Sequence, residues 1–304
     1  MLRILYLEPF DGGSHAAFTR TLTEGLDAHW HVLTLPGRHW KWRMRGAAVH
    51  FALDHREALA RPYDVILASA FTPLAELRGL APTLARTPAL LYFHENQLAY
   101  PAQARQTAER DFHFGFTQLT SALAAQRCVF NSDYNRRSFL DVGAEWLARM
   151  PDAVPTEWIR RIAERSVVTG YPVLFPADGA ARDAPSPEDL ALGPILLWNH
   201  RWEHDKDPES FFAALDALAS KGVPFRVIVC GERYRASPAV FDPARTALGS
   251  RVLHWGYAPT LARYHELLAR SHVVVSTARQ EFFGVSVLEA VASGARPLVP
   301  DRLA

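Results

Sequence analysis

The sequence predicts an α/β protein made of two halves, each a doubly wound parallel sheet with helices on its faces. Short β-branched and apolar runs of the buried-strand type recur along the chain, and segments with helical spacing separate them. At 304 residues the chain is longer than one ordinary domain. Composition shifts to Ala, Asp, Gly, Pro and Ser between residues 176 and 194. We therefore expect an N-terminal domain over 1–175, a linker over 176–194 and a C-terminal domain over 195–304.

Composition restricts the function. The formal net charge of +1 argues against a generic polyanion binder, so any nucleic-acid contact must be local. The two cysteines lie in apolar strand-like runs and form neither a disulfide framework nor a CxxC metal motif, which favours a reducing compartment. No stretch approaches the roughly 20 apolar residues of a membrane helix, and the N-terminus becomes polar too soon for a signal peptide. We expect a soluble, cytoplasmic protein without membrane attachment; no protein partner is evident.

The first half contains six predicted strands. The first is followed by a glycine turn, Gly12-Gly13, and by a helix over Ala16–Leu26, for which Ser14 is a plausible N-cap. These glycines let backbone approach a ligand closely, or they simply form a tight turn. Because the turn lacks the GxGxxG pattern, a nicotinamide site is disfavoured. The strands are Leu2–Leu7, Trp30–Leu35, Tyr63–Ser69, Ala89–Phe93, Arg127–Phe130 and Val167–Val173.

A basic and aromatic segment follows the second strand. Interleaved cations and rings could pair with phosphates and stack on bases or sugars. Equally, the segment could be an amphipathic surface stretch whose tryptophans pack on the core. Its members are Arg38, Trp40, Lys41, Trp42, Arg43 and Arg45.

His94 comes directly after the fourth strand, in the polar run His94-Glu95-Asn96-Gln97. In a doubly wound sheet this is the expected position for site residues, so His94 could orient a sugar hydroxyl or stabilise developing charge. The alternative is a histidine hydrogen-bonded within its loop. Further on, a helix is predicted up to Ala125 from Glu109, and Asn131 and Ser132 could cap the next one. A helical segment over Glu145–Arg165 should break near its prolines.

The second half opens with a strand and a charged loop. Arg201 and Lys206 lie in this loop, ahead of a helix over Glu209–Ala219. A guanidinium can bond two phosphate oxygens and an ammonium supplies a mobile charge, so together they could neutralise a diphosphate. They could also be surface cations balanced by Glu203 and Asp205. The strands of this half are Ile195–Trp198, Phe225–Cys230, Val252–Trp255, Val273–Ser276 and Pro297–Val299.

The stretch from Ser271 to Gly294 reads as strand, loop and helix start. Such a junction binds ligands in open α/β sheets, and a helix N-terminus suits phosphate. Glu281 in the loop and Glu289 in the helix are eight residues apart, which places their carboxylates roughly 10 Å from each other at helical rise. That spacing suits hydroxyls at the two ends of a nucleotide-sugar. Taken alone, the spacing of the two glutamates is weak evidence for a site, because Glu289 could be an ordinary helix-surface charge.

These residues resemble the family 4 glycosyltransferases, whose architecture of two Rossmann-like domains facing a cleft is called GT-B. Glu281 and Glu289 match the E-x7-E pattern of that family, and Arg201 with Lys206 matches its cationic pair. A closer resemblance is to the tRNA-queuosine α-mannosyltransferases. It is carried by GGSH at Gly12–His15, LPGRHWKWR ending at Arg43, YFHENQ at Tyr92–Gln97, ERDFHFGF at Glu109–Phe116, HRWEHDKDPESFF at His200–Phe212 and EFFGV at Glu281–Val285.

The resemblance implies retaining transfer of mannose from GDP-mannose to the cyclopentene-diol of queuosine at position 34 of a tRNA-Asp-type acceptor, without a metal or other cofactor. The implied partners are this tRNA and a sugar nucleotide. Catalysis would involve His94, Glu281, Arg201 and Lys206. The donor would contact Gly12, Gly13, Asn199, Arg201, Lys206, Glu281, Phe282, Phe283, Gly284, Val285 and Glu289. The tRNA would contact the basic and aromatic segment, Arg38, Trp40, Lys41, Trp42, Arg43 and Arg45.

In one respect the chain departs from the family pattern. Family 4 enzymes continue beyond the last predicted strand, whereas this sequence stops at Ala304. We therefore expect a truncated second domain. Two other functions stay open: a family 4 enzyme using another sugar nucleotide on a lipid or small-molecule acceptor, and a non-catalytic nucleotide- or RNA-binding remnant.

Overall fold

The computed structural model describes residues 1–100, 113–155, 157–173 and 191–303. The described chain divides into two compact units, Met1–Pro172 and Val173–Leu303. Most of the predicted linker, residues 176–190, and the start of the helix predicted from Glu109 lie outside the described residues. Within the described ranges, no helix has both the length and the apolar character needed to span a bilayer.

The first unit is built on a six-stranded parallel sheet in the order β2-β1-β3-β4-β5-β6. Its central strands are apolar along their whole length because helices cover both faces; Leu5, Tyr6 and Leu7 are at most 1% exposed. The strands are β1 (Arg3–Asp11), β2 (His29–Pro36), β3 (Val65–Ser69), β4 (Ala89–Phe93), β5 (Arg127–Phe130) and β6 (Ser166–Val168). The helices are α1 (Gly13–Gly25), α2 (Trp40–Asp54), α3 (Arg56–Leu59), α4 (Leu74–Leu80), α5 (His113–Ala124), α6 (Asp133–Leu147) and α7 (Glu157–Glu164).

Two helix starts differ from the sequence-based expectation and one agrees with it. Helix α1 begins at Gly13 after an extended Gly12, so the prediction of Ser14 as N-cap is wrong. Gly13 has φ +54°, a left-handed conformation that glycine adopts without strain. Apart from Arg38, the basic and aromatic segment forms the first turns of α2, a helix that the sequence pattern does not predict. Ser132 does cap α6, because its hydroxyl accepts a hydrogen bond from the Asn135 N–H.

The second unit carries a five-stranded parallel sheet in the order β11-β10-β7-β8-β9. An aromatic core packs on one face, where the rings of Trp202 and Phe241 stack at 4.0 Å between centroids. Strands are β7 (Ile195–Asn199), β8 (Arg226–Cys230), β9 (Val252–Gly256), β10 (Val273–Val275) and β11 (Arg296–Leu298). Helices are α8 (Pro208–Ser220), α9 (Phe241–Leu248), α10 (Leu261–Arg270) and α11 (Val285–Ala292). Both sheets confirm the predicted class, two Rossmann-like α/β units.

Candidate active site

In the second unit, the loops that follow β7 and β10 are tied together at the carboxyl edge of the sheet. Thr277 donates a hydrogen bond to the Lys206 carbonyl at 2.8 Å, and Arg279 bonds the Asp207 carboxylate at 3.0 Å. Asp207 in turn caps α8 by accepting from the Ser210 N–H. The edge is where open α/β sheets bind ligands, and it brings two of the predicted catalytic residues, Lys206 and Glu281, into contact.

Lys206 is paired with Glu281. Its Nζ lies 3.1 Å from Glu281 Oε2 and 2.9 Å from the Gln280 carbonyl oxygen, with Asp205 Oδ2 at 3.4 Å. The Lys206 side chain is only 9% exposed. Lys206 is therefore a buried, oriented charge rather than the mobile one expected from the sequence.

Glu281 also accepts a backbone hydrogen bond from Gly284. Burial alone would raise the pKa of Glu281, but the charges of Lys206 and His200 and the hydrogen bonds from Lys206 and Gly284 together outweigh burial and hold this pKa below its usual value. The carboxylate is therefore ionised at neutral pH. The Gly284 N–H, expected to face a diphosphate, is here bonded to Glu281. Gly284 itself has φ +80° and precedes the first residue of α11, Val285, while Phe282 is buried beside them.

Arg201 occupies the same loop but is half exposed. Its Nη1 lies 3.2 Å from Glu203 Oε1, an ion pair across two residues. This is the balanced surface pair that the sequence left open as an alternative. Side-chain exposure of 52% leaves the guanidinium in reach of a ligand from solvent.

Glu289 is held by a tyrosine that the sequence did not single out. The Tyr264 hydroxyl donates to Glu289 Oε2 at 2.5 Å and accepts from Asn199 Nδ2 at 2.8 Å. Asn199 also donates to the Ser286 carbonyl. Burial raises the pKa of Glu289, and the Tyr264 hydrogen bond opposes this shift. Glu289 is therefore an oriented carboxylate, not the free helix-surface charge of the alternative interpretation.

In the first unit, the predicted glycine turn is a close backbone crossing. A Cβ on Gly12 would lie 3.1 Å from Gly37 Cα, and one on Gly37 would lie 2.7 Å from Gly12 Cα. The two loops after β1 and β2 thus approach too closely for side chains. This favours the tight-turn interpretation for Gly12, whereas a Cβ on Gly13 would meet open space.

His94 is buried after β4, next to two residues that the sequence analysis passed over, Glu8 and His15. The His15 Nδ1 lies 3.0 Å from Glu8 Oε2, and the His94 Nε2 lies 3.8 Å from the same oxygen. The two imidazole rings are in tilted contact, with 4.0 Å between centroids. Glu8 is the first polar residue after the predicted strand Leu2–Leu7, so the positional rule that selected His94 would have found it too.

These three side chains are also of types that bind metals, and their ligand atoms lie within 4.8 Å of one another. Glu8 already accepts hydrogen bonds at both oxygens, from Phe10 N–H and the Ser69 hydroxyl on Oε1 and from His15 on Oε2. These hydrogen bonds hold the Glu8 carboxylate in a fixed orientation within the cluster.

The basic and aromatic segment divides between the two interpretations left open by the sequence. Trp40 packs on Phe114, with 5.2 Å between centroids, and belongs to the core. Trp42 is 64% exposed, and its indole lies over Gly46 one turn later. The cations divide in the same way: Arg43 donates to the Pro36 carbonyl, Arg45 lies over the Phe114 ring at 4.7 Å, and Arg38 and Lys41 are exposed.

Comparisons with known proteins match both units. Residues 3–173 match the family described as tRNA-queuosine alpha-mannosyltransferase N-terminal, and residues 189–301 match glycosyl transferases group 1. A Drosophila melanogaster protein named tRNA-queuosine alpha-mannosyltransferase is 39% identical over 309 residues. That similarity covers 99% of this chain and 80% of the fly protein.

Solved structures share the fold at low sequence identity. The Anabaena protein Alr3699/HepE, solved with UDP, superposes with a TM-score of 0.61 at 16% identity, covering 99% of this chain and 81% of that one. The lipopolysaccharide outer core galactosyltransferase WaaB, in its apo form, gives 0.60 at 12% identity, covering 100% and 82%. The GT-B fold class expected from the sequence is thereby confirmed.

Proposed function

This chain belongs to the tRNA-queuosine α-mannosyltransferase family, and we propose that it transfers mannose from GDP-mannose to the cyclopentene-diol of queuosine in tRNA, with retention at the anomeric carbon. It is a glycosyltransferase. The observation that carries the proposal is the 39% identity that runs across 99% of the chain, so it includes both units. The tRNA is the proposed acceptor, of the tRNA-Asp type, and the sugar nucleotide is the proposed donor.

The site must stabilise the negative charge of the leaving diphosphate. In glycosyl transfer the transition state is oxocarbenium-like, and negative charge grows on the departing group. Arg201 can swing from Glu203 to bond two phosphate oxygens, since it is half exposed. Lys206 is fixed in place by Glu281 and the Gln280 carbonyl, so its charge is preorganised. Preorganised charge stabilises a transition state without a reorganisation cost.

The site must also bind the hydroxyls of the sugar-nucleotide donor. Ionised Glu281 accepts hydrogen bonds from mannose, and Glu289, oriented by Tyr264, accepts them from the ribose. His94 contacts a hydroxyl of the transferred sugar. Support for these roles comes from the contacts that restrain each carboxylate, because a restrained acceptor loses little entropy when the donor binds.

We assign the tRNA contact to the exposed part of the basic and aromatic segment. Lys41 and Arg38 offer charges for phosphates, and Trp42 offers a ring face for a base. Trp40 and Arg43 support this surface from below through Phe114 and the Pro36 carbonyl. We further propose that the reaction needs no metal ion, because the two cations of the donor loop supply the positive charge that a diphosphate requires.

The test is transfer of radiolabelled mannose from GDP-mannose to queuosine-containing tRNA, with queuosine-free tRNA of the same sequence as the control. Label on the queuosine tRNA alone, undiminished by a chelator, supports donor, acceptor and metal independence together. Label that appears only with another sugar nucleotide or on another acceptor would overturn the assignment. Loss of transfer in the chelator, restored by a divalent cation, would overturn the metal independence.

A further inference from the structure

Glu8, His15 and His94 form a buried charge network in the first unit. The Glu8 side chain is completely buried, and burial of a carboxylate is costly unless hydrogen bonds and an opposite charge compensate it. Phe10 N–H and the Ser69 hydroxyl bond Oε1, at 2.9 and 3.0 Å. His15 Nδ1 bonds Oε2 at 3.0 Å, and the Tyr6 hydroxyl donates to the same oxygen at 3.4 Å. Burial raises the pKa of Tyr6, so this phenol stays neutral. These contacts link β1, β3 and α1 at one point.

Only one of the two histidines can carry a positive charge. Their rings are in tilted contact, with 4.0 Å between centroids and 32° between planes, and like charges at that distance strongly disfavour double ionisation. Of the two rings, His15 is the better placed to carry the charge, because its Nδ1 is 3.0 Å from Glu8 while the His94 Nε2 is 3.8 Å away. Among the described residues, no group hydrogen-bonds the buried His94 Nε2.

The other groups that surround the two rings do not alter this assignment. Tyr92 of β4 has its ring 4.8 Å from that of His94, and Tyr171, in the segment after β6, lies 6.2 Å away. Burial raises the pKa of Tyr92, so this phenol stays neutral at physiological pH. Asp11 and Glu95 act on His15, where they add to the pull of Glu8 toward the charged form.

We propose that Glu8 and His15 are positioning residues that hold the single positive charge of this network on His15, so that His94 stays neutral when the transferred sugar binds beside it. This rests on the proposed function. Burial opposes the charged form of His15, but Glu8, with smaller contributions from Glu95 and Asp11, outweighs burial and the pKa of His15 is raised. Burial, aided by the charge of His15, lowers the pKa of His94 well below its usual value.

A neutral His94 matters because of the charge that develops on the sugar. The anomeric centre becomes positive in an oxocarbenium-like transition state, and an imidazolium against the sugar would repel it. A neutral imidazole can bond a hydroxyl without that penalty. The Glu8–His15 pair therefore acts through His94 rather than on the substrate.

Histidine ¹⁵N NMR of the full chain, without donor or tRNA, tests the charge assignment directly; His94→Gln identifies the His94 signals. We expect His15 to show the imidazolium pattern at neutral pH, and His94 to stay neutral well below the ordinary midpoint of about 6.5. A His94 that titrates near the ordinary midpoint, or a neutral His15 at pH 7, would overturn the proposal whatever any variant does.

Two variants test whether the charge on His15 keeps His94 neutral and affects the rate of transfer. His15→Phe keeps a ring against His94, and His15→Asn keeps a donor for Glu8; both remove the charge. We expect the His94 midpoint to rise by about one pH unit or more in each. The rate of transfer should fall about tenfold as the pH drops through the new midpoint, and recover toward the wild-type rate about two units above it. A structural role alone would not give this recovery at high pH.

His50→Phe is the matched control, because His50 also bonds a carboxylate, Asp54 at 2.7 Å, but is exposed on α2. It should leave the His94 midpoint and the pH profile unchanged. An unmoved His94 midpoint in folded His15 variants contradicts the proposal. Since NMR needs no substrate, an absence of mannosyl transfer in the wild type would count against the proposed function and leave the charge assignment to stand or fall on its own result.

Discussion

Tyr264 and Glu289 are joined by a hydrogen bond of 2.5 Å between residues on neighbouring helices, α10 and α11. The phenol oxygen accepts in turn from Asn199, at the end of β7. One residue of the donor motif is thus held by a side chain outside that motif. The orientation of Glu289 therefore depends on the packing of the second unit as well as on its own helix.

Tyr264→Phe should weaken donor binding. The substitution removes one oxygen, leaves Asn199 its second partner at Ser286, and releases the Glu289 carboxylate from the phenol. We expect the donor KM to rise about tenfold with little change in kcat, since a hydrogen bond to a charged group contributes about 1.5–3 kcal/mol and ribose binding is equal in ground and transition states. Steady-state kinetics measure this. Tyr257→Phe, at a tyrosine that is 70% exposed, is the control. An unchanged KM in Tyr264→Phe would contradict the proposal that Glu289 binds the ribose.

Glu281→Gln and Glu281→Ala should both abolish transfer, by roughly a hundredfold or more, while the protein stays folded. The amide keeps the shape of the side chain but removes the charge that orients Lys206. Turnover and thermal unfolding are measured together. Glu24→Ala, at an exposed glutamate of α1, should leave both unchanged. Wild-type turnover in a folded Glu281 variant would refute the proposed donor site.

Lys41→Ala should weaken tRNA binding in a salt-dependent way. Removing one lysine from a phosphate reduces the slope of log K against log salt concentration by about 1. The affinity for GDP should not change, because Lys41 belongs to the first unit and the donor loop to the second. Filter binding over a salt series measures the slope. Lys221→Ala, an exposed lysine next to α8, is the matched control; equal slopes in both variants would argue against a phosphate bound at Lys41.

Trp42→Ala should lower tRNA affinity, because it removes a ring on which any base could stack. The indole lies next to Gly46 and is 64% exposed, so a single base could reach it from solvent. Removal of one base stack costs about 1–3 kcal/mol, so we expect affinity to fall about tenfold. Trp42→Phe should retain most of the affinity. Binding of an anticodon stem-loop oligonucleotide measures this, and equal affinities for all three proteins would assign Trp42 to the protein surface alone.

Gly231→Ala should destabilise the second unit. Its Cβ would overlap the His200 carbonyl oxygen, where the loop after β7 passes over the end of β8. Overpacking against backbone costs about 1–3 kcal/mol. Gly79→Ala has the opposite expectation: the residue lies in α4 with nothing within 4 Å, and alanine there should stabilise by about 0.5–1 kcal/mol. Chemical denaturation measures both, and a stable Gly231→Ala would contradict the close crossing.

The class of the fold follows from local patterns in the sequence. The predicted bounds of buried strands such as Ala89–Phe93 and Arg127–Phe130 equal the observed ones, because an apolar run between polar loops defines a parallel strand by itself. The proposed donor residues Arg201, Lys206, Glu281 and Glu289 are selected from the sequence in a similar way, by their positions in a loop or at a helix start after a strand. The helix Trp40–Asp54 is not, since its first turn mixes cations and rings without an apolar period.

Contacts between distant residues required the tertiary structure. Lys206 meets Glu281 across 75 residues, Tyr264 meets Glu289 across 25, and Ser69 meets Glu8 across 61. No periodicity within a segment encodes such pairs, because they depend on the order and register of strands in the sheet. The sequence alone therefore determined two α/β units and the residue types of the proposed sugar-nucleotide site. Packing decided which charges are paired, which carboxylates are oriented, and which tryptophan of the basic segment reaches solvent.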